Sequence, residues 1–231
     1  MSIATEAIIL DVGGVFLLPD PRIIGARLTS VEGLHPSTSA LERAHYTGIR
    51  ALDRDGDWDD YLDAFVDALD PTPDQRSAVA TALRDAWSTP RLWSYPISAS
   101  AEGLRHLATT GCKLGIVSNA DGTIEAELRA QQICQVGEGL GVPVLAIVDS
   151  TVFGTEKPHP SIFRHAAERL GVAPEHAVYV GDSVRYDVRG ARAAGLQPIH
   201  FDPYTVCDLR ADHPHVAAVA EVAQLVRRAL A

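Results

Sequence analysis

Apolar and polar positions fall into blocks along the chain. Ala7-Ile8-Ile9-Leu10, Leu114-Gly115-Ile116-Val117, Val144-Leu145-Ala146-Ile147-Val148 and Ala177-Val178-Tyr179-Val180 are unbroken apolar runs, and Pro198-Ile199-His200-Phe201 is a weaker fifth. Unbroken runs, rather than alternating ones, suit parallel strands covered on both faces. Helix-length segments separate them, at about 100–110, 121–134, 161–170 and 185–195. Strand–helix alternation without hairpin turns predicts an α/β fold built on a doubly wound parallel sheet.

One stretch breaks the alternation. From Leu18 to Pro90 the pattern is helical, with no convincing strand. Tyr61, Leu62, Phe65 and Leu69 lie on one stripe with acids opposite, and Val79, Leu83 and Trp87 continue a helical face. Thr72-Pro73-Asp74-Gln75 reads as an N-cap, a proline in the first turn and a glutamine that closes a capping box. Pro19 and Pro21 stand at its entry, and Pro90 and Pro96 at its exit. The predicted organisation is a core formed by residues 1–17 and 91–231, with an α-helical cap over 18–90 inserted on two hinges. The tail Val216–Leu230 predicts one more amphipathic helix.

Composition narrows the function. A chain of 231 residues, 46% of them hydrophobic, can bury a sizeable core, which excludes a disordered reading. The formal charge of -10 is the wrong field for nucleic acid or an anionic membrane, so neither is an expected partner. The N-terminus lacks a basic segment, and Asp11 and two glycines interrupt the apolar stretch Ala7–Leu18. No signal peptide or transmembrane helix is predicted. Cys112, Cys134 and Cys207 are too few and too scattered to suggest a disulfide framework or a zinc site. A soluble cytoplasmic protein is the expectation. Among the 20 basic residues only Lys113 and Lys157 are lysines, so each invites a reason.

In an open parallel sheet, ligands bind beyond the carboxyl ends of the strands. Asp11 follows the first run, and Ser118 and Asn119 follow the second. Asp149 and Ser150 follow the third, with Lys157 shortly after; Gly181, Asp182, Ser183 and Asp187 follow the fourth. Carboxylates, a hydroxyl and one of the two lysines thus converge on one sheet edge.

In this order the residues resemble the haloacid dehalogenase (HAD) superfamily, mostly phosphatases, across Ile8–Phe201. Asp11 matches its nucleophile, and Ser118, within Ile116-Val117-Ser118-Asn119, matches the hydroxyl of the second motif. Lys157 in Glu156-Lys157-Pro158-His159-Pro160 matches the third motif, and Gly181-Asp182-Ser183-Val184-Arg185-Tyr186-Asp187 the acidic fourth. The resemblance implies a Rossmann-like core with a helical cap. It also implies Mg²⁺ held by Asp11, Asp182, Asp187 and the Gly13 carbonyl, and phosphate held by Ser118, Asn119 and Lys157. Catalysis would fall to Asp11, Ser118 and Lys157, acting on a small phosphorylated metabolite through an aspartyl-phosphate.

Most phosphatases of that superfamily carry a second Asp two residues after the nucleophile, where this chain has Gly13. A glycine can neither protonate a leaving group nor activate water. Three readings stay open on the sequence: a Mg²⁺-dependent phosphohydrolase, a dehalogenase-type hydrolase whose halide leaves without a proton, and a non-catalytic binder of a phosphorylated ligand or a protein. Asp53-Arg54-Asp55-Gly56-Asp57 superficially resembles a calcium loop, but Trp58 and Ala64 stand where that loop needs Gly and Glu, so a turn and helix start are expected. His213-Pro214-His215 reads as a surface turn. His35, His45 and Tyr46 read as cap residues that pack or face solvent.

Overall fold

The computed structural model describes residues 3–210 and 212–228. The chain divides into two compact units, one built from residues 1–16 and 96–231 and the other from Leu17–Tyr95.

The larger unit is built on a six-stranded sheet. From edge to edge its order is His215–Val216, Gln197–Phe201, Ala177–Gly181, Ala7–Leu10, Lys113–Ser118 and Ala146–Asp149. Every pairing is parallel. The Ala7–Leu10 strand is central and buried at all four positions, as its unbroken apolar run requires. Helices Pro160–Arg169 and Arg189–Ala194 pack together, with Phe163 edge-on to Tyr179 at 4.8 Å between centroids.

Three details depart from the expected pattern. The apolar run at 144–148 is two strands: Val142–Val144 pairs with Cys134–Val136 in a small sheet, and Ala146–Asp149 joins the main one. The chain changes sheets at Leu145, which is half exposed. The helix expected over 121–134 contracts to Ile124–Ala130, because Cys134–Val136 is taken into the small sheet. The third departure is the tail. It holds the His215–Val216 strand, a one-turn helix at Val222–Leu225, and a strand at Val226–Arg228 paired in parallel with Ile3–Thr5. Ladder bonds to Ile3–Thr5 thus displace the predicted helix; positions 229 and 230 of that helix lie outside the described residues.

His213 is buried and the His215 side chain largely covered, rather than on a surface turn, because Pro214 and Val216 are in the ladder with the Gln197–Phe201 strand. Burial, helped by neighbouring His200 and His215, pushes the His213 imidazole down to about 4, so the ring is neutral at pH 7.

The smaller unit contains four helices, Pro21–Leu28, Thr38–Asp53, Trp58–Ala68 and Pro73–Trp87. Asp57 is not a calcium ligand loop but the N-cap of the third helix, in a reciprocal box with Asp60. Thr72 and Gln75 close the same box on the fourth. Tyr61, Phe65, Val79 and Leu83 are fully buried on the expected stripes. Strand Leu17–Pro19, which the helical pattern concealed, pairs with Trp93–Pro96 where the chain leaves the unit. His45 is buried, accepts or donates one hydrogen bond with the Tyr61 hydroxyl at 2.9 Å, and packs edge-on to Tyr46 and Trp93. Burial pushes its imidazole down to about 3. His35 is exposed and Tyr46 buried.

Candidate active site

Sheet register fixes the site. Leu10 pairs with Ile116 on one side and Val180 on the other. The Asp11 N–H donates to the Val180 carbonyl at 2.8 Å, carrying the ladder one residue past the strand end. Two residues beyond Ile116 and Val180 stand Ser118 and Asp182. Three adjacent strands therefore deliver Asp11, Ser118 and Asp182 to one edge, and all three are buried.

Lys157 arrives from the loop before helix Pro160–Arg169. Its ammonium lies 2.7 Å from Asp11 Oδ1 and 2.7 Å from Asp187 Oδ1. It also donates to the Tyr179 hydroxyl at 3.2 Å, which in turn donates to the Val117 carbonyl at 3.3 Å. The second Asp187 oxygen accepts the Ser183 N–H at 3.0 Å. Asp187 sits in a π-helical turn, Val184–Val188, whose start is capped by the Ser183 side chain accepting the Tyr186 N–H. A wide turn of this kind is often found at functional sites.

Asn119 is tied to Lys157. Its side chain accepts the Lys157 N–H at 2.8 Å and donates to the Lys157 carbonyl at 3.1 Å, latching that residue's backbone from both sides. The turn that carries Asn119 is held in its own right. Asp149 accepts the Gly122 N–H, Ser150 accepts the Ala120 N–H, and Thr151 donates to the Ala120 carbonyl. Ser118 Oγ makes no hydrogen bond among the described residues. Gly13 is partly exposed, and the left-handed position of the turn falls on Gly14, at φ 68°.

One oxygen each from Asp11, Asp182 and Asp187 lie within 4.8 Å of one another, all three residues being buried. Lys157 is paired with two of them, Asp11 and Asp187. Burial pushes the Asp11 carboxyl up to about 8 against the pull of Lys157, with Asp187 and Asp182 adding repulsion. Burial alone would lower the Lys157 ammonium, but Asp11 and Asp187 outweigh it and carry the group upward. Burial and the same carboxylates hold the Tyr179 phenol well above its ordinary value, so it keeps its proton for Val117. Oxygen donors from three converging carboxylates fit a hard divalent cation such as Mg²⁺. Tyr179 was not anticipated, although a lone hydroxyl inside an aliphatic buried strand was its available signal.

Known proteins resemble this chain in sequence and in fold. A family model described as a haloacid dehalogenase-like hydrolase matches residues 5–195. A glyceraldehyde 3-phosphate phosphatase of Methanopyrus kandleri is 36% identical over 134 residues, which is 57% of this chain and 53% of the relative. A phosphoserine phosphatase of Thermus thermophilus is 36% identical over 109 residues, 47% of this chain and 41% of the relative. The chain thus aligns with about half the length of these curated relatives. In fold it is similar to a HAD phosphatase structure from Thermococcus onnurineus, with a TM-score of 0.54, 24% identity, and coverage of 95% of this chain and 97% of that one.

Proposed function

The chain belongs to the haloacid dehalogenase-like hydrolases, and on that premise we propose that it is a Mg²⁺-dependent phosphohydrolase acting on a small phosphorylated metabolite. The observation that carries the reading is Lys157, whose buried ammonium bridges Asp11 and Asp187 at 2.7 Å each beside a third carboxylate, Asp182. A pure dehalogenation site has no use for three buried carboxylates converging on one point. A halide-releasing reaction would, however, suit Gly13, because a departing halide needs no proton.

Asp11 is the proposed nucleophile. Its carboxylate oxygen forms a bond to phosphorus as the bond from phosphorus to the substrate oxygen breaks, giving an aspartyl-phosphate and an alkoxide or phenoxide that takes its proton from water. Water then cleaves the aspartyl-phosphate, returning the carboxylate and inorganic phosphate. Asp11, Asp182 and Asp187 with the Gly13 carbonyl would hold Mg²⁺, which when bound neutralises the carboxylates and the phosphoryl charge. Ser118 Oγ, without another partner, is the donor proposed for a phosphoryl oxygen. Lys157 keeps its proton and faces Asp11, so it lowers the charge around the nucleophile, while Asn119 fixes its backbone.

The test is phosphate release from a broad set of phosphorylated metabolites with Mg²⁺, run beside halide release from haloacids. Phosphate release abolished by Asp11→Asn supports the proposal. Halide release without phosphate release supports the dehalogenase reading. Silence in both supports a binding role.

A further inference from the structure

We propose that His200, Cys207, His213 and His215 form a four-ligand site for a borderline-soft divalent metal ion, Zn²⁺ foremost, that clamps the segment carrying Cys207 to the sheet edge. One ligand-type atom from each of the four residues lies within 4.8 Å of the others. Both the ladder and its alternation bring them together. His200 and His215 are cross-strand partners of parallel strands, and His213 precedes His215 by the two residues that return a side chain to the same face. Their rings stand 4.9 Å apart for His200–His215 and 4.5 Å apart for His213–His215.

The polar atoms are disposed as a metal requires. His200 Nε2 lies 2.8 Å from the Asp182 carbonyl, to which only a protonated nitrogen can donate, so its Nδ1 carries a lone pair into the cluster. That Nδ1 is 3.1 Å from His213 Nε2, and His213 Nε2 is 3.9 Å from Cys207 Sγ. Tetrahedral bonds of about 2.0–2.1 Å to nitrogen and about 2.3 Å to sulfur give ligand–ligand edges of roughly 3.3–3.6 Å, close to those separations. Without an ion the cluster is poorly satisfied. Both ring nitrogens of His215 are buried without a hydrogen bond, a costly condition for polar atoms that a metal on one of them would relieve.

A supporting layer surrounds the four residues. His215 Nδ1 is 3.4 Å from Asp202 Oδ2, and His213 Nδ1 is 3.7 Å from Asp212 Oδ2. Asp202 also accepts the N–H groups of Val206 and Cys207 and is paired with Arg210, which fixes the backbone that presents the thiol. The Leu209 N–H donates to Cys207 Sγ at 3.3 Å, as suits a thiolate. Three imidazoles and a thiolate select zinc-like ions over Mg²⁺, which the oxygen cluster around Asp11 prefers.

The experiment uses the full chain purified with zinc present, dialysed, and analysed for metal by mass spectrometry. Wild type and Asp182→Asn are expected to retain about one zinc per chain, and Cys207→Ser and the double variant His213→Ala/His215→Ala to lose most of it. Added Zn²⁺ should raise the Tm of chelator-treated wild type by at least about 5 °C, a shift that Asp182→Asn keeps and that the double variant loses. A spectroscopic readout on unaltered sequence stands independent of whether the variants fold. Chelator-treated wild type titrated with Co²⁺ should develop a thiolate-to-cobalt charge-transfer band that Zn²⁺ removes. Zinc content near zero in wild type, a cobalt spectrum lacking the thiolate band, or equal zinc in a well-folded double variant would each overturn the proposal.

Discussion

Asp187 approaches Gly181 so closely that a Cβ on the glycine would stand 2.3 Å from the Asp187 carboxyl carbon. The strand end and the carboxylate that anchors Lys157 are therefore one packed unit. Gly181→Ala is expected to push Asp187 aside, release Lys157 and cost about 1–3 kcal/mol of stability through overpacking. Activity should fall by about 10²-fold, the scale of a misplaced catalytic group. Urea unfolding alongside kcat checks both, and an unchanged kcat would separate Asp187 from the reaction.

Mg²⁺ should raise Tm, and by more at pH 8 than at pH 5. The Asp11 carboxyl is raised in the folded state from an ordinary 3.8 to about 8. Its contribution to the metal-free chain is thus fully present below about 4 and lost as pH rises through 8. A bound proton competes with a bound cation, so the ion gains most where the proton has left. Asp182→Asn should shrink the Mg²⁺ shift by removing one charged ligand. Differential scanning fluorimetry over pH and Mg²⁺ decides it; equal shifts in wild type and variant would count against the assignment.

His45 makes the smaller unit acid-sensitive. Its folded value of about 3 lies below the unfolded 6.5, so its stabilisation is present above 6.5 and is lost as pH falls toward 3. Between pH 7 and 5 the loss should reach about 2 kcal/mol. All three tryptophans, Trp58, Trp87 and Trp93, belong to this unit, so urea unfolding followed by tryptophan fluorescence reads it selectively. His45→Gln should flatten the slope; a slope that persists would point to other groups.

In the proposed reaction, Gly13 sets the leaving-group preference. With no carboxyl to protonate the departing oxygen, an activated aryl phosphate should be cleaved much faster than an alkyl phosphate. Gly13→Asp should help alkyl substrates most, by up to about 10²-fold. Alkyl cleavage as fast as aryl cleavage, and unaffected by Asp11→Asn, would show that neither residue has the proposed role.

The central strands and their terminal residues were legible because a strand buried on both faces must be apolar throughout, which makes Asp11, Ser118 and Asp182 conspicuous where each run stops. Tertiary pairing hid the rest. Nothing local distinguishes Val144 from Ala146, although they belong to different sheets, and only Ile3–Thr5 turns Val226–Arg228 into a strand. The tie between Asn119 and Lys157 was hidden because the two residues are 38 positions apart. The His213-Pro214-His215 segment gave no sign of burial, since its polar residues are covered by a neighbouring strand rather than by their own pattern.

The paired segments Leu17–Pro19 and Trp93–Pro96 bear on the order in which the chain folds. Strands Ala7–Leu10 and Lys113–Ser118 are neighbours in the sheet yet are separated by about 100 residues. Once the helical unit has formed and its two ends are joined, the segment still to be closed is only about 20 residues. At about 0.6 kcal/mol per doubling of loop length, that lowers the entropic cost of bringing the two strands together by about 1 kcal/mol. The inserted helices, rich in local contacts, are thus placed to fold early and to speed the pairing that builds the strand bearing Asp11 into the sheet.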